Sequence, residues 1–402
     1  MYTIGQTERQ PRIEWFQLLG LLGLMAVGVM FIFSATRAHE VNSIPWYKEA
    51  FVRQMVWYVI GASAGAALCI LDYRSLARWA LVVYWLTVVA LVLVLIPGIG
   101  TTHGWGARRW IDLGAFQFQP SEFAKLGFIF AFASFLSRPV DELRIPMNFF
   151  KALGMIALPF LLIMKEPDLG SAIIFVPMGL VMMFVAGVPV RFIRRLIFGV
   201  GVLAVLFLID VLFAPPQWQI KMQDYQRRRL LVYFGRDYAD TKMTDVQRQA
   251  ARMQQKNDSY NVDQALISVG TGGMFGKGWT KGTQNALGFL PRAVAHNDFI
   301  FSVIAEEKGF MGTALVIGLF AVVLFTGIRI AGQARDRLGK LLGVGVVTML
   351  FSHVFINIGM NIRLMPVTGV PLPFLSYGGS AVLCSLIAIG ILQNVNLYRR
   401  SY

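Results

Sequence analysis

The sequence predicts an all-α integral membrane protein, a bundle of about ten transmembrane helices with a long extracytoplasmic loop between the seventh and the eighth. Three observations predict it. Of 402 residues, 56% are hydrophobic and only 15% charged, with a mean hydropathy of +0.59. A soluble domain carries charge on about a quarter of its residues, so most of this surface needs lipid as its solvent. Apolar runs of roughly 17 to 25 residues recur along the chain, the length that crosses a bilayer core. Finally, Lys and Arg gather between those runs, as expected of a membrane protein that keeps its positive loops inside.

The first run, Trp15–Ala35, follows a polar segment, Met1 to Glu14. It is too long for a signal-peptide core and is expected to stay as a helix. The second, Phe51–Leu71, holds Gly61 and Gly65 at a GxxxG spacing, whose expected use is close helix packing. Ala77–Ile96 follows. Ser121–Leu136 and Phe149–Met164 are short and carry Lys125 and Pro159. The remaining spans are Ser171–Val188, Phe192–Ala214, Phe299–Ile328, Leu338–Ile362 and Leu375–Leu397. With the N-terminus inside, the cytoplasmic segments hold sixteen Lys and Arg against seven in the short external ones. That asymmetry puts both termini in the cytoplasm.

The loop from Pro215 to Asn297 then faces outside and divides in two. Gln217 to Asp258 is highly polar and reads as amphipathic or mobile helix. Tyr260 to Asp298 is Gly-rich and partly apolar, and can lie on or re-enter the membrane if protein buries it. Residues 1–402 read as a single membrane domain. No internal repeat is evident, which weighs against an inverted-repeat transporter.

Several classes fall away. The net charge of +15 suggests nucleic acid only if basic residues cluster on one soluble face, and here they lie in small groups between apolar runs. Cys69 and Cys384 both sit in apolar runs and read as small buried hydrophobes rather than a disulfide or a metal site. His39, His103, His296 and His353 lack metal-ligand spacing. "GTGGMFGKG" is no phosphate-cradling loop, because Gly278 stands where Ser or Thr is needed. There is no HExxH or CxxC.

Ionisable residues at membrane depth are expensive and therefore candidates for function. In "RRWIDLGAFQFQPSEFAKLGF", Pro120 suits a first helical turn, and Glu122 and Lys125 share a face. Arg108 and Arg109 lie just outside on the preceding loop. Mutual neutralisation of Glu122 and Lys125 is the structural alternative; the gathered cations point to an anionic lipid headgroup or phosphate. In "LPRAVAHNDFIFSVIAEEKGF", Asp298 enters the eighth helix behind His296, with Ser302 and Glu306 at helical spacing. An acid there is equally a normal cap. In "NIGMNIRLMPVTGVPLPFLSYGGS", Asn357 and Asn361 are four apart, and Pro366, Pro371, Pro373 and the stretch through Ser376 break the helix. Irregular backbone at that depth lines a cavity or is covered by protein; an ordinary external turn is the alternative. "KEPDLGS" reads as a structural cap for the sixth helix through Asp168.

Taken in order, "RRWIDLG…FQPSEFAKL", "EPDLGSA", "ISVGTGGMFGKGWTKGTQ", "HNDFIFSVIAEEKGF" and "MPVTGVPLPFLSYGGSA" resemble the shape, elongation, division and sporulation (SEDS) family over about residues 100 to 395. "GKGWTKGTQ" followed by "FLP" is similar to the RodA-like branch more than to the FtsW-like one. The resemblance implies a ten-helix peptidoglycan glycosyltransferase that polymerises lipid II during cell-wall elongation, on the outer face of the bacterial inner membrane. It implies Asp298 as the essential Asp of the "H-T-D-F-I-F" motif, with Asn297 here in place of Thr. It implies Arg109, Lys125 and the adjacent Glu122 as substrate-binding residues, and Arg108, His296, Asn361 and Ser376 join that candidate set. Arg292 stands where the family often has Glu.

The implied chemistry suits these residue types. The donor sugar leaves as a lipid pyrophosphate, whose developing charge Arg109 and Lys125 would stabilise, with or without a divalent cation such as Mg or Mn. The acceptor hydroxyl needs a base, the role expected of Asp298. One carboxylate suffices for a single inverting displacement, unlike the pair used in glycoside hydrolysis. The implied partners are a single-span class B penicillin-binding protein (a transpeptidase), the elongation machinery and membrane lipid, and no nucleic acid. A lipid II flippase and a non-catalytic scaffold for a transpeptidase are the alternative readings.

Overall fold

A computed structural model describes residues 13–37, 45–101, 108–114, 117–213, 224–235, 245–290 and 295–400. His39, His103 and Arg292 lie outside the described residues. The chain is helical wherever an apolar run was expected. The helices are α1 (Trp15–Arg37), α2 (Ala50–Leu68), α3 (Tyr73–Ala77), α4 (Ala80–Leu95), α5 (Pro120–Leu136), α6 (Val140–Leu143), α7 (Pro146–Lys165), α8 (Leu169–Ala186) and α9 (Val190–Phe213). After them come α10 (Asp224–Tyr233), α11 (Asp245–Thr271), α12 (Thr283–Ala286), α13 (Ile300–Gly332), α14 (Arg337–Asn361) and α15 (Gly379–Leu397).

Among the described residues seven helices, α1, α7, α8, α9, α13, α14 and α15, are long and apolar enough to cross a membrane. The other three expected spans, α2, α4 and α5, are helices of 19, 16 and 17 residues. By length and composition alone, seven of the ten expected spans are identified among the described residues. The outside of the bundle is apolar: Phe198 and Phe325 are 74% and 70% exposed. Such surfaces are stable only against lipid, so the chain is a multi-pass membrane protein. Burial ranks the helices. In α15, 78% of the most apolar window is buried, against 6% in α9, so α15 lies at the centre and α9 at the lipid edge.

Close packing of α2 on α15 depends on the glycines of the GxxxG pair. A Cβ on Gly65 would lie 2.9 Å from the Leu386 carbonyl oxygen, and one on Gly390 would lie 2.6 Å from the Gly65 Cα. Two backbones meet here with no side chain between them, the use expected of that spacing.

Two segments differ from expectation. The stretch between α4 and α5 contains a small antiparallel sheet of β1 (Gly100–Thr101), β2 (Trp110–Asp112) and β3 (Gln117–Phe118), in that order. It is paired Gly100↔Ile111 and Ile111↔Phe118. Trp110 and Ile111 favour extended backbone. Asp112 Oδ1 accepts from the Gly114 amide at 2.8 Å, and Gly114, at φ +77°, takes the left-handed turn position.

Between α9 and α13, helix α11 runs through Tyr260 as far as Thr271, so the polar and Gly-rich parts divide near residue 271 rather than near 259. Beyond it the Gly-rich segment clasps a break in α13. At Gly309 (φ 62°, ψ −159°) that helix is interrupted. The amides of Phe310 and Met311 donate to the Gly273 and Met274 carbonyls at 2.8 and 3.1 Å. In return, Lys277 and Gly278 amides donate to the Glu306 and Glu307 carbonyls, each at 3.0 Å. The two buried acids of "AEEKG" complete the clasp. Glu306 Oε1 accepts from Lys277 Nζ at 2.7 Å and from the Gln284 amide at 2.9 Å. Glu307 accepts from Ser34 Oγ at 2.5 Å and from the Thr280 amide at 3.0 Å. The Gly-rich motif therefore satisfies the backbone of a broken helix.

Candidate active site

At one end of the bundle meet the N-termini of α5, α8, α13 and α15 and the C-terminus of α14. Asp298 lies in the turn that leads into α13 and is half-buried. Every carbonyl of that turn is held. The His296 carbonyl accepts from the Tyr377 amide at 2.9 Å, and the Asn297 carbonyl from Ser376 Oγ at 2.6 Å. The Asp298 carbonyl accepts from Asn357 Nδ2 at 2.9 Å and Asn361 Nδ2 at 3.1 Å. Asn361 Oδ1 accepts in turn from Ser302 Oγ at 2.6 Å, and Asn357 Nδ2 donates also to the Val370 carbonyl at 2.8 Å. Asn357, Asn361 and Ser376 are at most 2% exposed. Their hydrogen bonds go to the protein itself, which makes them a frame for the acid. Gly369, at φ +74°, faces the carboxylate: a Cβ there would lie 3.5 Å from Asp298 Oδ2. The His296 ring lies 5.4 Å from the Tyr377 ring.

The second group lies on α5. Pro120 occupies its first turn, where a missing N–H costs nothing. Lys125 is completely buried, and Nζ lies 2.7 Å from Glu122 Oε1 and 2.7 Å from His353 Nε2. Glu122 and Lys125 do pair, as the structural alternative required. A buried ion pair survives only with good geometry and further partners, and His353 supplies one. His353 carries no metal-ligand spacing, so sequence reasoning passed over it. The missed signal is its register: His353, Asn357 and Asn361 follow at four-residue intervals and mark one polar face on an otherwise apolar helix.

Arg109, just before β2, donates to the Glu166 carbonyl at 3.4 Å and to the Pro167 carbonyl. Arg108 beside it is half-buried and has no ion-pair partner among the described residues. Asp168 caps α8 through the Ser171 amide at 3.1 Å and accepts from Gln119 Nε2 at 3.4 Å. The Gln119 amide donates to Ser380 Oγ at 3.2 Å, which ties α15 to the start of α5. Glu166 was not anticipated. It is fully buried, and neither carboxyl oxygen has a hydrogen-bond partner. Burial pushes its pKa up to about 9, helped by the negative charge of Asp168 and opposed by Arg109. No group of three or more His, Cys, Asp or Glu among the described residues is placed to hold a metal ion.

One end of this membrane-type helical bundle thus brings together an acid, a buried ammonium and two arginines. The chain belongs to the FtsW/RodA/SpoVE family of cell cycle proteins, whose sequence model matches residues 15–401. It is 35% identical over 381 residues to stage V sporulation protein E of Bacillus subtilis, covering 94% of this chain and 95% of that protein. It is 33% identical over 383 residues to the peptidoglycan glycosyltransferase MrdB of Escherichia coli, covering 95% and 93%. Among solved structures, a peptidoglycan synthase complex that coordinates polymerisation and crosslinking contains a chain with a TM-score of 0.74 at 27% identity, covering 97% of this chain and 99% of that one. The rod shape determining protein RodA of Thermus thermophilus gives 0.64 at 26% identity, covering 97% and 98%.

Proposed function

We propose that this chain is a peptidoglycan glycosyltransferase of the bacterial cytoplasmic membrane, with both termini inside, that polymerises lipid II into glycan strands. The observation that carries the mechanism is the Asp298 turn, whose three consecutive carbonyls are fixed by Tyr377, Ser376 and the Asn357–Asn361 pair. A base for a poor nucleophile has to be held in place, because its benefit depends on alignment with the hydroxyl it deprotonates. The acceptor oxygen bonds to the donor's anomeric carbon as the bond to the lipid pyrophosphate breaks. The hydroxyl proton passes to Asp298, and the pyrophosphate leaves as an anion.

Arg108 and Arg109 are half-buried and are the cations that meet this anion first. Lys125 lies one layer further in, where two of its three N–H groups are already engaged. In this reading its third N–H serves the leaving group once the headgroup is seated. A divalent cation, Mg or Mn, is proposed to enter with the pyrophosphate. The partner is proposed to be a class B penicillin-binding protein, in line with the pairing of polymerisation and crosslinking in the structural relative. A role in elongation rests on the RodA-like "GKGWTKGTQ", since overall identity does not separate the branches: SpoVE, MrdB and an FtsW stand at 35%, 33% and 31%.

The test is incubation of the purified chain and its partner with labelled lipid II. Wild type is expected to make glycan chains, and Asp298→Asn to slow them by about a hundredfold or more with the fold intact. Absence of chains from wild type would leave the flippase or scaffold readings in place. Undiminished polymerisation by Asp298→Asn would remove the base from Asp298.

A further inference from the structure

The Lys125 ammonium and the His353 ring leave only one proton arrangement. His353 Nδ1 lies 2.9 Å from the Met349 carbonyl oxygen, an atom that can only accept, so Nδ1 carries a hydrogen. Nε2 faces an ammonium that has only donors, at 2.7 Å, so Nε2 is bare and accepts. The ring is therefore neutral and hangs on its own helix at one nitrogen while it holds Lys125 with the other. His353 is 4% exposed and Glu122 3%, so neither is a contact for bulk water.

The choice of a neutral acceptor has a consequence. Glu122 already balances the charge of Lys125. A second carboxylate in place of His353 would leave the cluster net negative, next to a site that has to receive a pyrophosphate. An imidazole fixes the ammonium without adding that charge. The same face of α14 also does the other half of the work: Asn357 and Asn361, one and two turns further on, hold the Asp298 carbonyl. Successive anchors on that face are about 6 Å apart along the helix.

We propose that His353 is a positioning residue for the transferase reaction, and that one face of α14 acts as a rail fixing the separation between the base, Asp298, and the inner cation, Lys125. The proposal rests on the reading that Lys125 serves the pyrophosphate. Loss of His353 frees the ammonium to fold onto Glu122 and misplaces it, whereas Gln, which has a neutral acceptor at similar reach, keeps it in place.

The experiment compares His353→Leu, His353→Gln, His353→Asn and Lys125→Met in the full chain with its partner, in lipid nanodiscs, with labelled lipid II. Rates over a range of lipid II concentrations separate kcat from KM, and melting temperatures report the fold. His353→Leu is expected to lower kcat by about tenfold to a hundredfold, the worth of a hydrogen bond to a charged group. His353→Gln is expected to return it to within about threefold of wild type. If the Leu variant does not fold, Asn, polar but too short to reach Lys125, takes its place and is expected to be slow at the melting temperature of the Gln variant. Wild-type kcat in the Leu or Asn variant, with Lys125→Met inactive, overturns the proposal and leaves the Lys125 reading standing. A Gln variant as slow as Leu, at equal melting temperature, overturns it as well. Wild-type rates in Lys125→Met overturn the Lys125 reading, and the proposal with it.

Discussion

Glu166 illustrates how a single side chain departs from what its surroundings in sequence suggest. In "KEPDLGS" it looks like an ordinary loop acid, yet it is fully buried without a partner for either oxygen. Burying a bare carboxylate is expensive, so the neutral acid is the form that the fold accepts. Its folded pKa, about 9, lies above the ordinary value of 4.5. For a raised pKa the stabilising protonation is fully present below the unfolded value and lost as pH rises through the folded one. Stability contributed by Glu166 is therefore expected to fall between about pH 4.5 and pH 9. Glu166→Gln, neutral at every pH, is expected to flatten that slope and to melt above wild type at pH 8.5. Thermal melts of both proteins from pH 5 to 9 check this, and parallel curves would show that Glu166 is ionised or solvated.

The Asn pair on α14 is the other residue-scale lesson. Asn361 and Ser376, candidates for substrate contact by sequence, hold the carbonyls of residues 298 and 297. Such a role predicts a loss in kcat more than in KM for Asn361→Ala, in the same lipid II assay, because misplacing the acid spares ground-state binding.

At the scale of elements, the break in α13 and the Gly-rich segment form one unit. A Cβ on Gly276 would collide with the Glu307 carbonyl oxygen, and Gly276 sits at φ +77°, which side chains resist. Gly276→Val is expected to lower stability by about 3 kcal/mol from overpacking and strained backbone, read as a drop in melting temperature. Activity should fall with it, because the segment Ile300–Lys308 carries the clasp at one end and follows Asp298 at the other. A Val variant with wild-type melting temperature would show that the segment is free to move aside. The motif was legible as unusual from its glycines, and its use was not. A broken helix opposite it, 29 to 37 residues away in sequence, has no local signature.

For the whole molecule, the central contact is between an early helix and the last one. Gly65 and Gly390 bring α2 and α15 into backbone contact. Gly390→Leu is expected to force the helices apart, with loss of folded protein in detergent seen by size-exclusion chromatography. Normal yield and melting temperature would mean that this crossing tolerates separation. The membrane topology carries its own check: reporter fusions at either terminus should be active only on the cytoplasmic side.

Much of this protein was determined by its sequence alone, because the quantities involved are sums over many residues. The thin charge and repeated apolar runs require lipid, the runs place the helices to within a few residues, and the motif order places the family. The Glu122–Lys125 pair was legible because ionisable groups are rare at membrane depth and stand out against apolar neighbours. What tertiary structure decided depends on where distant segments meet. It made His353 the second partner of Lys125, buried Glu166 without a partner, and turned Asn357, Asn361 and Ser376 into the frame of the acid. Hydrogen bonds act over about 3 Å, so which groups share one is set by the packing of helices far apart in the chain.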